Sequence, residues 1–90
     1  MRLRGEFTNK EIKEWMKDRD NACKSCNVKT FRQFYSKWML RGMYFKELPA
    51  DDMVIEIMMR KMIYNIREFT PREKEEAKKW LEAHGCDTRL

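Results

Sequence analysis

The chain is poor in the residues on which enzymes and membrane proteins depend. Its 90 residues contain one histidine, two serines, three glycines and two prolines, and no apolar run is longer than three residues. A membrane-spanning helix needs about 20 predominantly apolar residues, and no apolar segment follows the N-terminal arginines as it would in a secretory signal. Glycine-rich phosphate loops and serine nucleophile motifs are also lacking. We therefore expect a cytoplasmic protein that binds rather than catalyses and has no membrane partner.

Helix start signals are frequent, and no segment has the alternation of a strand. Three residue pairs have the spacing of a capping box, in which a threonine caps the first turn and a Glu or Gln reaches back: Thr8 with Glu11, Thr30 with Gln33, and Thr70 with Glu73. A fourth start follows Pro49, and Gly85 is typical of a helix stop. The pattern predicts a single all-α domain over residues 1–90, a compact bundle of four helices at 9–20, 31–46, 52–68 and 71–84.

Apolar residues fall on more than one side of the two central helices. An aromatic stripe on helix 2 is predicted to be core: Phe31, Phe34, Tyr35, Trp38, Gly42 and Phe45. A second apolar set lies away from the main stripes of helices 2 and 3: Leu40, Met43, Met53, Ile57 and Tyr64. A helix that is apolar on two sides is either covered within the fold or faces a partner. This set is therefore internal core or a binding surface for another protein, a second copy of the chain included.

Positive charge is concentrated in one segment. The whole chain carries a net charge of +5, whereas residues 21–46 hold six Lys and Arg and no acid. The candidate nucleic-acid contacts in this segment are Lys29, Arg32, Gln33, Lys37, Arg41 and Tyr44. Of these, Gln33, Lys37, Arg41 and Tyr44 are expected on one solvent-facing edge of helix 2. Such side chains suit phosphates, base edges and base stacking. The edge is interpreted as a nucleic-acid contact, as a dock for an acidic protein, or as a solvated face.

The three cysteines and the single histidine define one candidate metal site. Three thiols cannot all pair within one chain, which favours reduced thiols or metal ligands. Cys23 and Cys26 are expected in the loop between helices 1 and 2, and His84 and Cys86 near the end of helix 4. Three thiolates and an imidazole are a known zinc ligand set, so a zinc ion could pin the bundle. Otherwise the thiols are free or buried, and the histidine caps its helix.

The spacing Cys23-x2-Cys26-x2-Lys29-x4-Phe34-Tyr35 resembles the zinc-knuckle segment near phage HNH-type proteins, and the resemblance implies zinc at the two cysteines. Taken together, the sequence favours a small regulatory protein that binds nucleic acid, or a nucleic-acid-processing complex, through helix 2. The alternative is a protein–protein module, such as a viral or mobile-element inhibitor of a host enzyme, that uses the methionine-rich helical surface.

Overall fold

A computed structural model describes residues 7–90 and confirms the all-α class. These residues form four helices and no strand: α1 (Asn9–Lys24), α2 (Val28–Leu40), α3 (Asp52–Asn65) and α4 (Pro71–Ala83). Over this part of the chain, none of the helices is long and apolar enough to cross a membrane.

The chain divides into two compact units. The first ends at Ala50 and contains α1 and α2, which pack against each other. The second spans Asp51–Leu90 and contains α3 packed on α4. A single domain over residues 1–90 stays a prediction.

Each unit has its own apolar core. In the first unit the buried apolar residues are Phe7, Ala22, Cys23, Phe31, Phe34, Trp38 and Met43. In the second unit they are Ile55, Met59, Ile63, Phe69, Ala77 and Leu81. The aromatic stripe of helix 2 is thus confirmed at Phe31, Phe34 and Trp38, but Phe45 is 55% exposed because it lies beyond the helix.

The capping boxes predicted at Thr8 and Thr70 are both present. In each, the threonine side chain accepts the backbone N–H three residues on, and the glutamate there accepts the backbone N–H of the cap. The third predicted box is wrong, because Asn27 caps α2 and accepts the N–H of Thr30 at 3.1 Å. Thr30 therefore lies within the first turn, and the helix begins three residues earlier than predicted.

Glycines end two of the helices. Gly42 (φ +91°) and Gly85 (φ +69°) adopt the left-handed conformation that follows a helix at little cost only in glycine. After Gly42 the N–H of Met43 bonds to the carbonyl of Trp38 at 2.9 Å, which completes a Schellman motif. The stop at Gly85 was predicted. The extension of helix 2 to residue 46 is wrong, because α2 already ends at Leu40.

Candidate interaction surfaces

The predicted cationic edge of helix 2 lies against carboxylates of α1. The ammonium of Lys37 is 2.8 Å from a carboxylate oxygen of Asp18 and 3.6 Å from one of Glu14. The guanidinium of Arg41 is 3.4 Å from Glu14 and 3.5 Å from Glu11. The three acids recur at helical spacing, so α1 presents one acidic stripe to the two cations. A phosphate at this edge would have to compete with all three carboxylates.

Trp38 lies at the base of this charged network. Its side chain is fully buried, and its Nε1–H donates to Asp18 at 3.0 Å. The guanidinium of Arg41 sits 4.3 Å from the centre of the ring, a favourable cation–π distance. Burial raises the pKa of Asp18, but hydrogen bonds from Lys37 and Trp38 outweigh it and hold this pKa below its ordinary value. The hydrogen bond to Asp18 likewise raises the pKa of Lys37.

Tyr44 does not share this edge. Because α2 ends at Leu40, the helical offset that placed Tyr44 beside Arg41 does not apply. The hydroxyl of Tyr44 accepts the Nε1–H of Trp15 at 2.8 Å, and its ring stacks on Tyr35 with centroids 4.1 Å apart. The tyrosine thus holds the chain after α2 against its unit, and its ring already has a stacking partner.

The remaining members of the predicted nucleic-acid set are dispersed. Arg32 is half-buried and donates from Nη2 to the carbonyl of Ala50 at 3.0 Å. Lys29 and Gln33 are exposed on α2. Of the six predicted residues, Lys29 and Gln33 are therefore the two that are exposed on α2 and lie outside the ion pairs with the acids of α1.

An apolar patch, here called the Leu40 patch, lies at the C-terminal end of α2. Its members surround a groove of about 420 Å³: Ser36, Met39, Leu40, Tyr44 and Phe45. Leu40 is 90% exposed and Phe45 is 55% exposed. Leu40, a member of the second apolar set in the sequence, is thus an apolar side chain that faces solvent.

The other predicted partner-binding residues differ in exposure. Met43 is only 4% exposed and is core, because the turn at Gly42 directs the chain back onto Trp38. Met53 is 44% exposed on α3, whereas Ile57 and Tyr64 on the same helix are half-buried. Met43 is therefore removed from the surface set.

Of the candidate zinc ligands, Cys23 and Cys26 lie in the first unit and His84 and Cys86 in the second. Within residues 7–90, no group of three or more His, Cys, Asp or Glu side chains is placed to hold a metal ion. Cys23 lies inside α1 and not in the predicted loop, because Ala22 and Cys23 pack into the core and extend the helix to Lys24. Burial raises the pKa of the Cys23 thiol to about 12, which disfavours the thiolate that zinc binds. Zinc binding stays a prediction.

The other candidate ligands lie at chain turns. Cys26 is exposed with φ +52°, and Cys86 is partly exposed after Gly85. The ring of His84 stacks on Trp80 with centroids 3.8 Å apart, and its Nδ1 lies 2.7 Å from the Trp80 carbonyl. His84 is exposed at the end of α4.

A further charged surface was missed by the sequence argument. Lys10, Lys13 and Lys17 recur at intervals of three and four residues along α1 and are all exposed. In the described part of the chain, no ion pair engages their ammonium groups. We call these three residues the α1 lysine row. Their spacing is visible in the sequence, but the acids between them keep the net charge of this segment low, unlike that of residues 21–46.

Comparison with protein-family models, curated proteins and solved structures gives no match for this chain.

Proposed function

We propose that the protein is a non-enzymatic binding module and that its partner is another protein, which docks on the Leu40 patch. The observation that carries the proposal is the 90% exposure of Leu40 beside the half-exposed ring of Phe45. A single exposed leucine is common on protein surfaces. Two large apolar side chains at the rim of a groove of about 420 Å³ instead fit a partner's apolar side chain.

Charge indicates the character of that partner. Residues 7–50 hold ten Lys and Arg against five Asp and Glu, whereas residues 51–90 hold eight against nine. The patch thus belongs to the basic half of the chain, and Lys46 directly follows Phe45 and is exposed. Complementary charge speeds association and orients partners. We infer a partner that inserts an apolar side chain from an acidic surface, so the module would regulate or inhibit by occupying that surface.

Nucleic-acid binding through helix 2 is the less supported alternative. Lys37 and Arg41 already share three carboxylates of α1, and counterion release from phosphates requires cations that are available. These contacts favour a protein partner on the apolar patch.

The test is a capture experiment with matched charge insertions. Tagged wild type, Leu40→Asp and Leu90→Asp are incubated with nuclease-treated extract of the source cells, and retained proteins are identified by mass spectrometry. Leu90 is the control because it is also a highly exposed leucine, at 76%. We expect a partner that wild type and Leu90→Asp retain after nuclease treatment and at high salt, and that Leu40→Asp loses. All three proteins should keep the same helical content, because both sites are on the surface.

Two results would contradict the proposal. One is that no protein retained by wild type survives nuclease treatment. The other is equal capture by Leu40→Asp and wild type, which would leave the patch without a binding role.

A further inference from the structure

We propose a second interaction surface beyond the protein-binding patch: the α1 lysine row binds the phosphate backbone of a nucleic acid. A helix rises about 1.5 Å per residue, so Lys10 and Lys17 stand about 10 Å apart along the axis with Lys13 between them. All three are exposed. Three cations in a straight row match a strand whose charges are also regularly spaced.

The neighbouring acids do not neutralise this row. Glu11, Glu14 and Asp18 each follow a lysine of the row by one residue, which rotates them by about 100° around the helix. All three are engaged in ion pairs with Lys37 and Arg41 of α2. The acids of α1 thus form ion pairs with α2, and the lysines remain on the exposed face of α1.

The row also opposes the stability of its own helix. Lys10 is the second residue of α1, where the positive end of the helix dipole disfavours a cation. Lys13 and Lys17 are four residues apart, and like charges at that spacing destabilise a helix. A bound polyanion would offset both the unfavourable dipole interaction of Lys10 and the repulsion between Lys13 and Lys17. Residues that destabilise their own helix are expected at functional sites more often than on surfaces without a function.

A membrane is a poorer match than a nucleic acid. An interfacial helix buries a large apolar face beside its lysines, but the apolar side of α1 is occupied within the first unit. Ala22 and Cys23 are buried there, Trp15 donates its hydrogen bond to Tyr44, and Ile12, at 37%, is the exposed large apolar side chain of the helix. The helix therefore offers a ligand its charge and one exposed isoleucine, which is less than the large apolar face that an interfacial helix buries.

The experiment measures binding to a mixed-sequence 20-base-pair DNA duplex by fluorescence anisotropy between 50 and 200 mM salt. Three phosphate contacts predict a log–log salt slope of about −2.7, which is an affinity loss of about 40-fold over this range. Lys13→Glu should weaken binding at least about 15-fold at 50 mM salt, the contribution of one contact. The same substitution should raise the melting temperature, because a glutamate at 13 pairs with Lys17 in the favourable orientation.

Lys29→Glu is the matched control. Lys29 is also exposed and lies in the same unit, so its reversal changes the net charge equally. We expect this variant to bind DNA within about 3-fold of wild type if the row is the contact. Lys13→Gln removes the charge without reversing it, so it should reduce the affinity less than Lys13→Glu does. A graded loss of this kind distinguishes a lost phosphate contact from a variant that fails to fold.

Three results would overturn the proposal. Equal loss in Lys13→Glu and Lys29→Glu would mean that only net charge matters. Unchanged binding in Lys13→Glu would remove the row from the contact. Tighter binding to vesicles containing phosphatidylserine than to DNA, with the same sensitivity to Lys13→Glu, would assign the row to a membrane surface.

Discussion

Asp18 connects the two helices of the first unit through one carboxylate. A single oxygen, Oδ2, accepts both from the Lys37 ammonium at 2.8 Å and from the Trp38 indole at 3.0 Å. Hydrogen bonds to an ionised group are stronger than neutral ones, and Trp38 is fully buried. The carboxylate therefore satisfies the one polar atom of a core side chain while it anchors a surface cation.

The charge of Asp18 should make stability depend on pH in a defined direction. Its pKa is held below the ordinary value of 3.8, so its stabilisation is fully present above about pH 5 and is lost as the pH falls through the folded-state pKa. We expect Asp18→Asn to lower the free energy of unfolding by about 1 kcal/mol at pH 7. The difference from wild type should shrink below pH 4. Urea unfolding at pH 7, 5 and 3 measures it, and a difference that is constant across this range would contradict the assignment.

Cys23 shows what residue spacing alone could not predict. The C-x-x-C spacing of Cys23 and Cys26 is present in the chain, but their environments differ. One thiol is fully buried and the other is exposed in a turn. Burial depends on where α1 ends, and the continuation of the helix to Lys24 comes from packing of Ala22 and Cys23 rather than from a local signal.

At the scale of elements, helix starts were predicted better than helix ends. Thr8 and Thr70 carry complete capping boxes, because such a motif is local and needs no tertiary contact. At Thr30 the same three-residue spacing gave a wrong prediction. Asn27 is the cap instead, because asparagine is preferred over threonine at the N-cap position. Gly42 was readable as a stop but was placed within the aromatic stripe, which extended helix 2 and misplaced Tyr44.

The assignment of the α2 cap predicts unequal effects of two substitutions. Asn27→Ala removes the side chain that accepts the N–H of Thr30, and loss of such a cap costs about 1 kcal/mol. Thr30→Ala should leave the free energy of unfolding unchanged or slightly raised, because alanine favours a helix interior. Both are read by urea unfolding monitored by circular dichroism. A larger loss in Thr30→Ala would restore the cap predicted from the sequence.

At the scale of the whole molecule, charge is redistributed by packing. The acid-free segment 21–46 reads as a cationic surface in the sequence, but two of its cations, Lys37 and Arg41, meet acids from α1. These pairs join residues 19 to 30 positions apart, which no local pattern predicts. Helix identity and most of the core were predictable because they follow periodicity. Whether each charged side chain is free to bind a ligand was not predictable, because it depends on which faces of two helices pack together.

The central claim is that α2 uses its cations inside the first unit and that α1 carries the available charge. Two double variants test it in one experiment on stability and on the salt dependence of DNA-duplex binding. Lys37→Ala with Arg41→Ala should lower the free energy of unfolding, because it removes the ion pairs with α1, and should keep the wild-type salt slope. Lys13→Ala with Lys17→Ala should keep or slightly raise the stability, because it removes a like-charge pair, and should flatten the slope by about 1.8. The reverse pattern, with the slope lost in the α2 variant and the stability unchanged there, would contradict the account.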